Sequence, residues 1–109
     1  MAAYRIEHYR APDGADVFGE WFDGLRDWPT QQRIAARIDR LALGLFGDAK
    51  TVRDGVRELR IDMAPGYRVY YAIEGRTVVL LLCGGDKRTQ SRDIARAVGY
   101  WQEYQGTGR

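Results

Sequence analysis

The sequence predicts an α+β domain with the element order β-α-α-β-β-β-α. Apolar side chains repeat with a helical period between residues 17 and 45, and from Asp48 onward they repeat with a period of two. Three of the β-like runs follow one another with tight turns between them, which indicates an antiparallel meander. We expect the N-terminal strand and this meander to form one antiparallel sheet that packs against the helices. The chain has 109 residues, which is typical of one domain, residues 1–109.

The first half of the chain predicts a strand and two helices. Residues 4–9 alternate aromatic or apolar side chains with charged ones, and the segment APDG at 11–14 ends this strand. Pro29 suits the first turn of the second helix, and the short link between the helices favours an αα-hairpin. The apolar stripe of the first helix is Val17, Phe18, Trp21, Phe22 and Leu25. The second helix has the stripe Ile34, Ile38, Leu41 and Leu45, with Arg33, Arg37 and Arg40 elsewhere on its surface.

The second half predicts the meander and a last helix. A strand over 56–63 is followed by the turn Ala64-Pro65-Gly66 and by a strand over 67–73 rich in aromatic and branched residues. The run 77–83 is apolar on both of its faces, so we expect a central strand that is covered on both sides. Gly84 and Gly85 close this strand, and the last helix starts near Thr89 or Ser91.

Composition excludes several classes of protein. One cysteine and one histidine exclude a disulfide framework, multi-cysteine metal sites and His-rich metal sites, so we expect no metal and no cofactor. The longest apolar run is too short for a membrane span, and we expect a cytoplasmic protein without membrane contact. The net charge of +2 hides an asymmetry, because residues 1–30 carry three bases and six acids. Of the 17 basic residues 15 are arginine, which suits phosphate recognition.

The meander gathers basic side chains on one face. If the turn at 64–66 sets the hairpin register, Arg60 opposes Tyr70 and Asp62 opposes Arg68, and all four share a face. The other face carries the expected core residues Leu59, Ile61, Val69 and Tyr71. Guanidinium groups beside tyrosine rings can bind phosphate and stack on bases, so this face suits RNA. The alternative is a solvated face on which Glu58 and Asp62 pair with Arg60 and Arg68.

Four motifs on this half of the chain resemble a known family. They are VRELRI at 56–61, GYRVYY at 66–71, LLLCGGDK at 80–87 and a Q-x-x-D-I pattern from Gln90 to Ile94. In this order and spacing they resemble the RelE/ParE toxin superfamily, and within it the HigB-like addiction module killer proteins of type II toxin–antitoxin systems. The order of elements is also similar over nearly the whole chain.

The resemblance implies a RelE-like fold and a bacterial toxin that inhibits translation by cleaving mRNA, usually on the ribosome. Cleavage in RelE-like members proceeds by attack of the ribose 2′-hydroxyl on the adjacent phosphate. Arg60, Arg68 and Lys87 match the basic catalytic positions, with Arg88 as the alternative to Lys87. We expect Arg57, Tyr70, Arg88 and Arg92 to bind RNA. The implied partner is an antitoxin, often a helix-turn-helix protein, and operator DNA would be bound only through the toxin–antitoxin complex.

Two questions stay open at this point. RelE-like nucleases often have a functional tyrosine after the basic strand end, whereas this sequence has Ile94 near that register. Tyr70, Tyr71 and Tyr100 are the substitutes, so the general base is unassigned. Other activities are also compatible with the fold, namely a ParE-like inhibitor of DNA gyrase and an interaction module that only docks an acidic antitoxin segment.

Overall fold

The computed structural model describes residues 3–106 as a five-stranded sheet with helices on both faces. The strands are β1 Arg5–His8, β2 Ala49–Arg53, β3 Val56–Arg60, β4 Tyr67–Glu74 and β5 Val78–Asp86. The helices are α1 Val17–Gly24, α2 Trp28–Ala42 and α3 Gln90–Gly106, with a 3₁₀ turn at Lys87–Thr89 before α3. The strand order in the sheet is β1-β5-β4-β3-β2. None of the helices within residues 3–106 is long and apolar enough to cross a bilayer.

The α+β class is confirmed, but the predicted order lacks one strand. The edge strand β2 pairs antiparallel with β3 through a two-residue turn at Asp54 and Gly55. Both turn residues have positive φ, 51° and 88°, as a type I′ hairpin requires. Most of β2 is exposed, and its hydrophobic signal is therefore weak. The Asp-Gly dipeptide was the signal that could have revealed this strand.

The prediction of a wholly antiparallel sheet is also wrong. β1 lies beside β5 and runs parallel to it, with Arg5 opposite Val78 and His8 opposite Leu81. The connection from β1 to β5 passes through both N-terminal helices and three strands, which is long enough for a parallel crossover. The sheet is therefore mixed, with β5 at its second position and covered on both faces, as the sequence predicted.

The hairpin between β3 and β4 differs from the predicted register by two residues. Arg60 pairs with Arg68 and Glu58 pairs with Tyr70, and the Ile61 amide donates to the Tyr67 carbonyl at 2.9 Å. Asp62 therefore belongs to the turn and does not oppose Arg68. A shift of two residues preserves the side-chain faces, so the predicted set of residues still shares one face.

Each face of the sheet has its own core. Helices α1 and α2 begin at the side-chain caps Asp16 and Asp27 and cover the face of Leu59, Ile61, Val69 and Tyr71, as expected. Helix α3 covers the other face, where Tyr70 packs with Val56, Leu80, Leu82, Ala97 and Trp101. The face expected to be open is therefore partly a second core, while its end near the β3–β4 turn lines an open cleft.

Two glycines let α1 and α3 approach β5 closely. The β4–β5 ladder has an irregularity between Tyr70 and Tyr71, and Leu82 and Cys83 both pack toward α3. A Cβ atom on Gly84 would lie 2.2 Å from the ring of Trp21 in α1, and one on Gly85 would lie 1.8 Å from the Asp93 carboxylate in α3. Any larger residue at these two positions would push a helix away from the sheet.

Candidate functional site: an arginine cleft beside the β3–β4 turn

A buried carboxylate organises the end of the sheet beside α3. Glu58 is fully buried on β3 and accepts hydrogen bonds from three side chains. Arg68 Nη1 donates to its Oε1 at 3.2 Å, while the Tyr70 hydroxyl and Gln90 Nε2 donate to its Oε2 at 3.2 and 2.7 Å. We call these four residues the Glu58 cluster. Since a buried carboxylate is costly without partners, the cluster fixes all three donors in place.

Arg68 is the cationic member of this cluster and is largely buried. It is 9% exposed, and Nη1 is bound to Glu58, while Nε has no hydrogen-bond partner among residues 3–106. Arg68 is also one of the residues that line an open cleft of about 510 Å³ on the β3–β4 hairpin. We call this the arginine cleft; its lining residues are Asp48, Arg60, Ile61, Asp62, Gly66 and Arg68.

Arg60 lies directly across the ladder from Arg68 and belongs to the same cleft. Its Nε and Nη2 donate to Asp48 Oδ1 at 3.1 and 3.0 Å. Both side chains of this ion pair are about half exposed, at 42% and 54%. An ion pair of this exposure stabilises the fold by less than about 1 kcal/mol, so Arg60 can exchange Asp48 for another anion at little cost.

Lys87 stands at the edge of the cleft. Asp86 caps the 3₁₀ turn by accepting from the Arg88 amide at 2.8 Å, and Thr89 completes the capping box. This turn places the Lys87 side chain against the β3–β4 turn, where a Cβ on Gly66 would lie 3.2 Å from the Lys87 Cβ. Lys87 is exposed, and its ammonium group forms neither a hydrogen bond nor an ion pair within the described part of the chain.

Residues 20–98 match the family described as "Phage derived protein Gp49-like (DUF891)". The chain belongs to this family. The match covers the arginine cleft, the Glu58 cluster and Lys87, and it is made to the Gp49-like family rather than directly to RelE/ParE. The Gp49-like family is associated with toxins of the RelE/HigB type from toxin–antitoxin systems.

A relative from Haemophilus influenzae (strain ATCC 51907 / DSM 11121 / KW20 / Rd) is similar to this Gp49-like chain. The two are 50% identical over 81 residues, which are 74% of this chain and 82% of the relative. The relative is described as "Uncharacterized protein", so it adds no activity.

The Gp49-like fold brings three of the predicted site residues together and separates the others from them. Arg60 and Arg68 share the cleft, and Lys87 borders it through Gly66. None of the four predicted RNA-binding residues lines the cleft. Tyr70 is fully buried, and Arg57 lies on the opposite face, with its guanidinium 5.0 Å from the centroid of the Phe46 ring.

The other two predicted RNA-binding residues are held by carboxylates. Arg88 is 79% exposed and bonded to Asp86, and this guanidinium is the main reason why the pKa of Asp86 is lowered. Arg92 is 66% exposed and pairs with the buried Asp93. Both side chains remain accessible to solvent.

Sequence reasoning missed the central role of Glu58. It treated Glu58 only as a partner in a solvated ion pair, whereas the residue is fully buried and its pair with Arg68 is 0% and 10% exposed on the two side chains. The contact from Gln90 joins residues 32 positions apart. No local pattern reports such a contact, although Gln90 is the first residue of the Q-x-x-D-I motif.

Proposed function

We propose that this Gp49-like protein is the toxin of a type II toxin–antitoxin system, with a RelE-like fold formed by residues 1–109 as one domain. Its activity is the cleavage of mRNA, on the ribosome, in the bacterial cytoplasm. An antitoxin of the helix-turn-helix type neutralises it, and operator DNA is bound only through their complex. The association of the family with RelE/HigB-type toxins supports the first part of this proposal.

One observation carries the nuclease part of the proposal. Arg60 and Arg68 face each other in one cleft with Lys87 at its edge, and only Arg68 has a buried partner. Attack of a 2′-hydroxyl on the adjacent phosphate forms a 2′,3′-cyclic phosphate and expels the 5′-oxygen of the next nucleotide, while the hydroxyl proton passes to water and the leaving oxygen takes one up from water. The step passes through a phosphorane with additional negative charge. Cations that are already fixed in place stabilise this charge without reorganising. Arg68 is the fixed cation, while Arg60 and Lys87 are the accessible ones.

The three tyrosines considered as the general base all have structural contacts. The Tyr70 hydroxyl donates a hydrogen bond to Glu58. Burial, together with the charge of Glu58, raises the pKa of this hydroxyl. Tyr71 is buried among the residues packed under α1 and α2, on the opposite face. Tyr100 stacks on Tyr9 with their ring centroids 5.0 Å apart. We therefore assign catalysis in this proposal to charge stabilisation and RNA positioning by the three cations.

Growth inhibition on induced expression in a bacterial host tests this site. Lys87→Ala and Arg60→Ala should each abolish or strongly reduce toxicity, because each removes an exposed cation that the fold does not need. Lys50→Ala is the matched control, since Lys50 is the other lysine of the chain and is exposed on the edge strand β2. Circular dichroism melts of the purified variants should match those of the wild type.

Mapping of mRNA 5′ ends after induction identifies the target. New 5′ ends that vanish in the Lys87→Ala strain support the proposal. Toxicity that survives both substitutions contradicts the site assignment. Intact mRNA accompanied by a DNA-damage response contradicts the nuclease and favours an inhibitor of DNA gyrase.

A further inference from the structure

A second basic cavity adjoins the arginine cleft. Arg33, Arg37 and Arg40 of α2 line a groove of about 410 Å³, and we call it the α2 groove. Its remaining lining is Ala36, Ile61 and Asp62. Ile61 and Asp62 also line the arginine cleft, so the two cavities share a wall.

Two of the three arginines of the α2 groove, Arg33 and Arg37, are held in place by backbone carbonyls without being neutralised. Arg33 Nη1 donates to the Asp62 carbonyl at 3.1 Å, and Arg37 donates to the Arg60 and Phe46 carbonyls at 2.8 and 3.4 Å. Within residues 3–106 none of the three arginines forms an ion pair with a carboxylate. Carbonyl groups restrict the position of a guanidinium but leave its full charge available, so this groove has a concentrated positive potential.

The lining favours a polyanion over a folded protein partner. Protein interfaces gain affinity from apolar and aromatic anchors at a dry centre, and the groove has only Ala36 and the buried Ile61. Arg33 and Arg40 are seven positions apart, which is about 10 Å along a helix. Successive phosphates of one strand are separated along the backbone by about twice the 3.4 Å rise on the helix axis, so the groove has the length of about two phosphates.

We propose that the α2 groove binds the sugar–phosphate backbone of the RNA strand whose scissile phosphate occupies the arginine cleft. The proposal rests on the proposed function for the identity of the polymer. The groove contributes affinity that depends on salt and not on base sequence. The carboxylate of Asp62 on the shared wall is the acidic group of the lining, and it weakens phosphate binding.

Fluorescence anisotropy on the full-length chain tests the groove. The probe is a single-stranded RNA of about 12 nucleotides with 2′-O-methyl riboses, which cannot be cleaved by 2′-hydroxyl attack, titrated between about 50 and 300 mM KCl. The test variant is Arg33→Gln with Arg40→Gln. Arg37 is retained because it holds two backbone carbonyls. Arg76→Gln is the control, since it removes an exposed arginine from the β4–β5 turn at the opposite end of the sheet.

The magnitudes follow from counterion release. Each lost contact to single-stranded nucleic acid reduces the slope of log K against log salt by about 0.7, and it weakens binding about 5-fold at 0.1 M salt. The double variant should therefore bind about 25-fold more weakly, with a slope smaller by about 1.4. Lysines at the same two positions should restore most of the affinity, Asp62→Asn should strengthen binding, and Arg76→Gln should bind like the wild type.

The outcomes separate this inference from the proposed function. A double variant with the RNA affinity and salt slope of the wild type overturns the proposal that the groove binds RNA, even if the wild type cuts mRNA in cells. If RNA binding depends on the groove but the protein leaves mRNA intact, the result supports RNA binding by the groove and contradicts the proposed nuclease activity. If the double variant binds RNA normally but loses an acidic partner protein, the groove is a protein docking surface and the inference is overturned.

Discussion

Glu58→Gln should destabilise the fold by about 3 kcal/mol. The carboxylate is fully buried and accepts from Arg68, Tyr70 and Gln90. Hydrogen bonds to a charged group are worth about 1.5–3 kcal/mol, against about 0.5–1.5 kcal/mol for neutral ones, so each of the three loses about 1 kcal/mol. The buried guanidinium of Arg68 also loses its counter-ion, and removal of one partner from a buried pair costs about 3–5 kcal/mol.

The orientation of the new amide is set by the donors around it. Arg68 cannot accept a hydrogen bond, so the amide oxygen must face Arg68 and the amide nitrogen must face Tyr70 and Gln90. Those two side chains can rotate to accept hydrogen bonds from the amide. The expected loss of stability therefore stays at the lower end of the range of about 3–5 kcal/mol. For a chain of this length, about 3 kcal/mol corresponds to a fall in Tm of about 12 °C.

Urea and thermal unfolding followed by circular dichroism measure this effect. Glu103→Gln is the control, because Glu103 is exposed on α3 and its change should stay within about 0.5 kcal/mol. A loss below about 1 kcal/mol in Glu58→Gln would refute the claim that this carboxylate holds Arg68. A double-mutant cycle with Glu58→Leu and Arg68→Met should show coupling above about 1 kcal/mol, because an apolar pair leaves no charge uncompensated.

Three further predictions concern other parts of the fold. The hydrogen bond from Arg88 lowers the pKa of Asp86 from its ordinary value of 3.8. The ionised Asp86 therefore stabilises the fold fully above that pH, and this stabilisation is lost as the pH falls below it. In Asp86→Asn, the free energy of unfolding should depend less on pH at the acidic end of the titration. Burial raises the pKa of Cys83 to about 12, so Ellman's reagent at pH near 8 should label it only as fast as the protein unfolds. Gly85→Ala, whose Cβ would meet a buried carboxylate oxygen at 1.8 Å, should unfold the protein. In contrast, Gly99→Ala at an exposed position of α3 should stabilise it by about 0.5–1 kcal/mol in thermal melts.

The elements that the sequence predicted well are those with a complete local signal. Helix α2 has the predicted proline in its first turn and the predicted stripe Ile34, Ile38 and Leu41, all buried. It ends at Ala42, so Leu45 of the predicted stripe lies outside the helix and is 59% exposed. The apolar run of β5 likewise predicted a strand that is covered on both faces. In contrast, the mostly exposed β2 offered only its Asp-Gly turn.

The candidate site was predicted only in part. The alternation of residues along a strand assigns each side chain to a face of the sheet, but it does not show which element covers that face. The even-numbered positions of β3 and β4 do share one face, as predicted, and this places Arg60 beside Arg68. Helix α3 then covers the same face from the Tyr70 position onward, so one end of the row is a core and the other is a cleft. The position of α3 depends on the approach of Gly85 to Asp93 and on the contact of Glu58 with Gln90, 32 positions away, and no periodicity encodes either contact.

Residues of the motifs that carry the family resemblance mostly contact residues of the other motifs. The glutamate of the ELR segment binds Gln90 of the Q-x-x-D-I pattern, and Gly85 of the GGDK segment packs on Asp93 of that same pattern. These contacts fix β3, β5 and α3 together, so the motifs report on a shared scaffold more directly than on a shared reaction. Arg60 and Lys87 differ from the other motif residues, because neither side chain contributes much to the stability of the fold. A loss of activity at those two positions therefore reports on chemistry, whereas a loss at Arg68 combines chemistry with the stability of the Glu58 cluster.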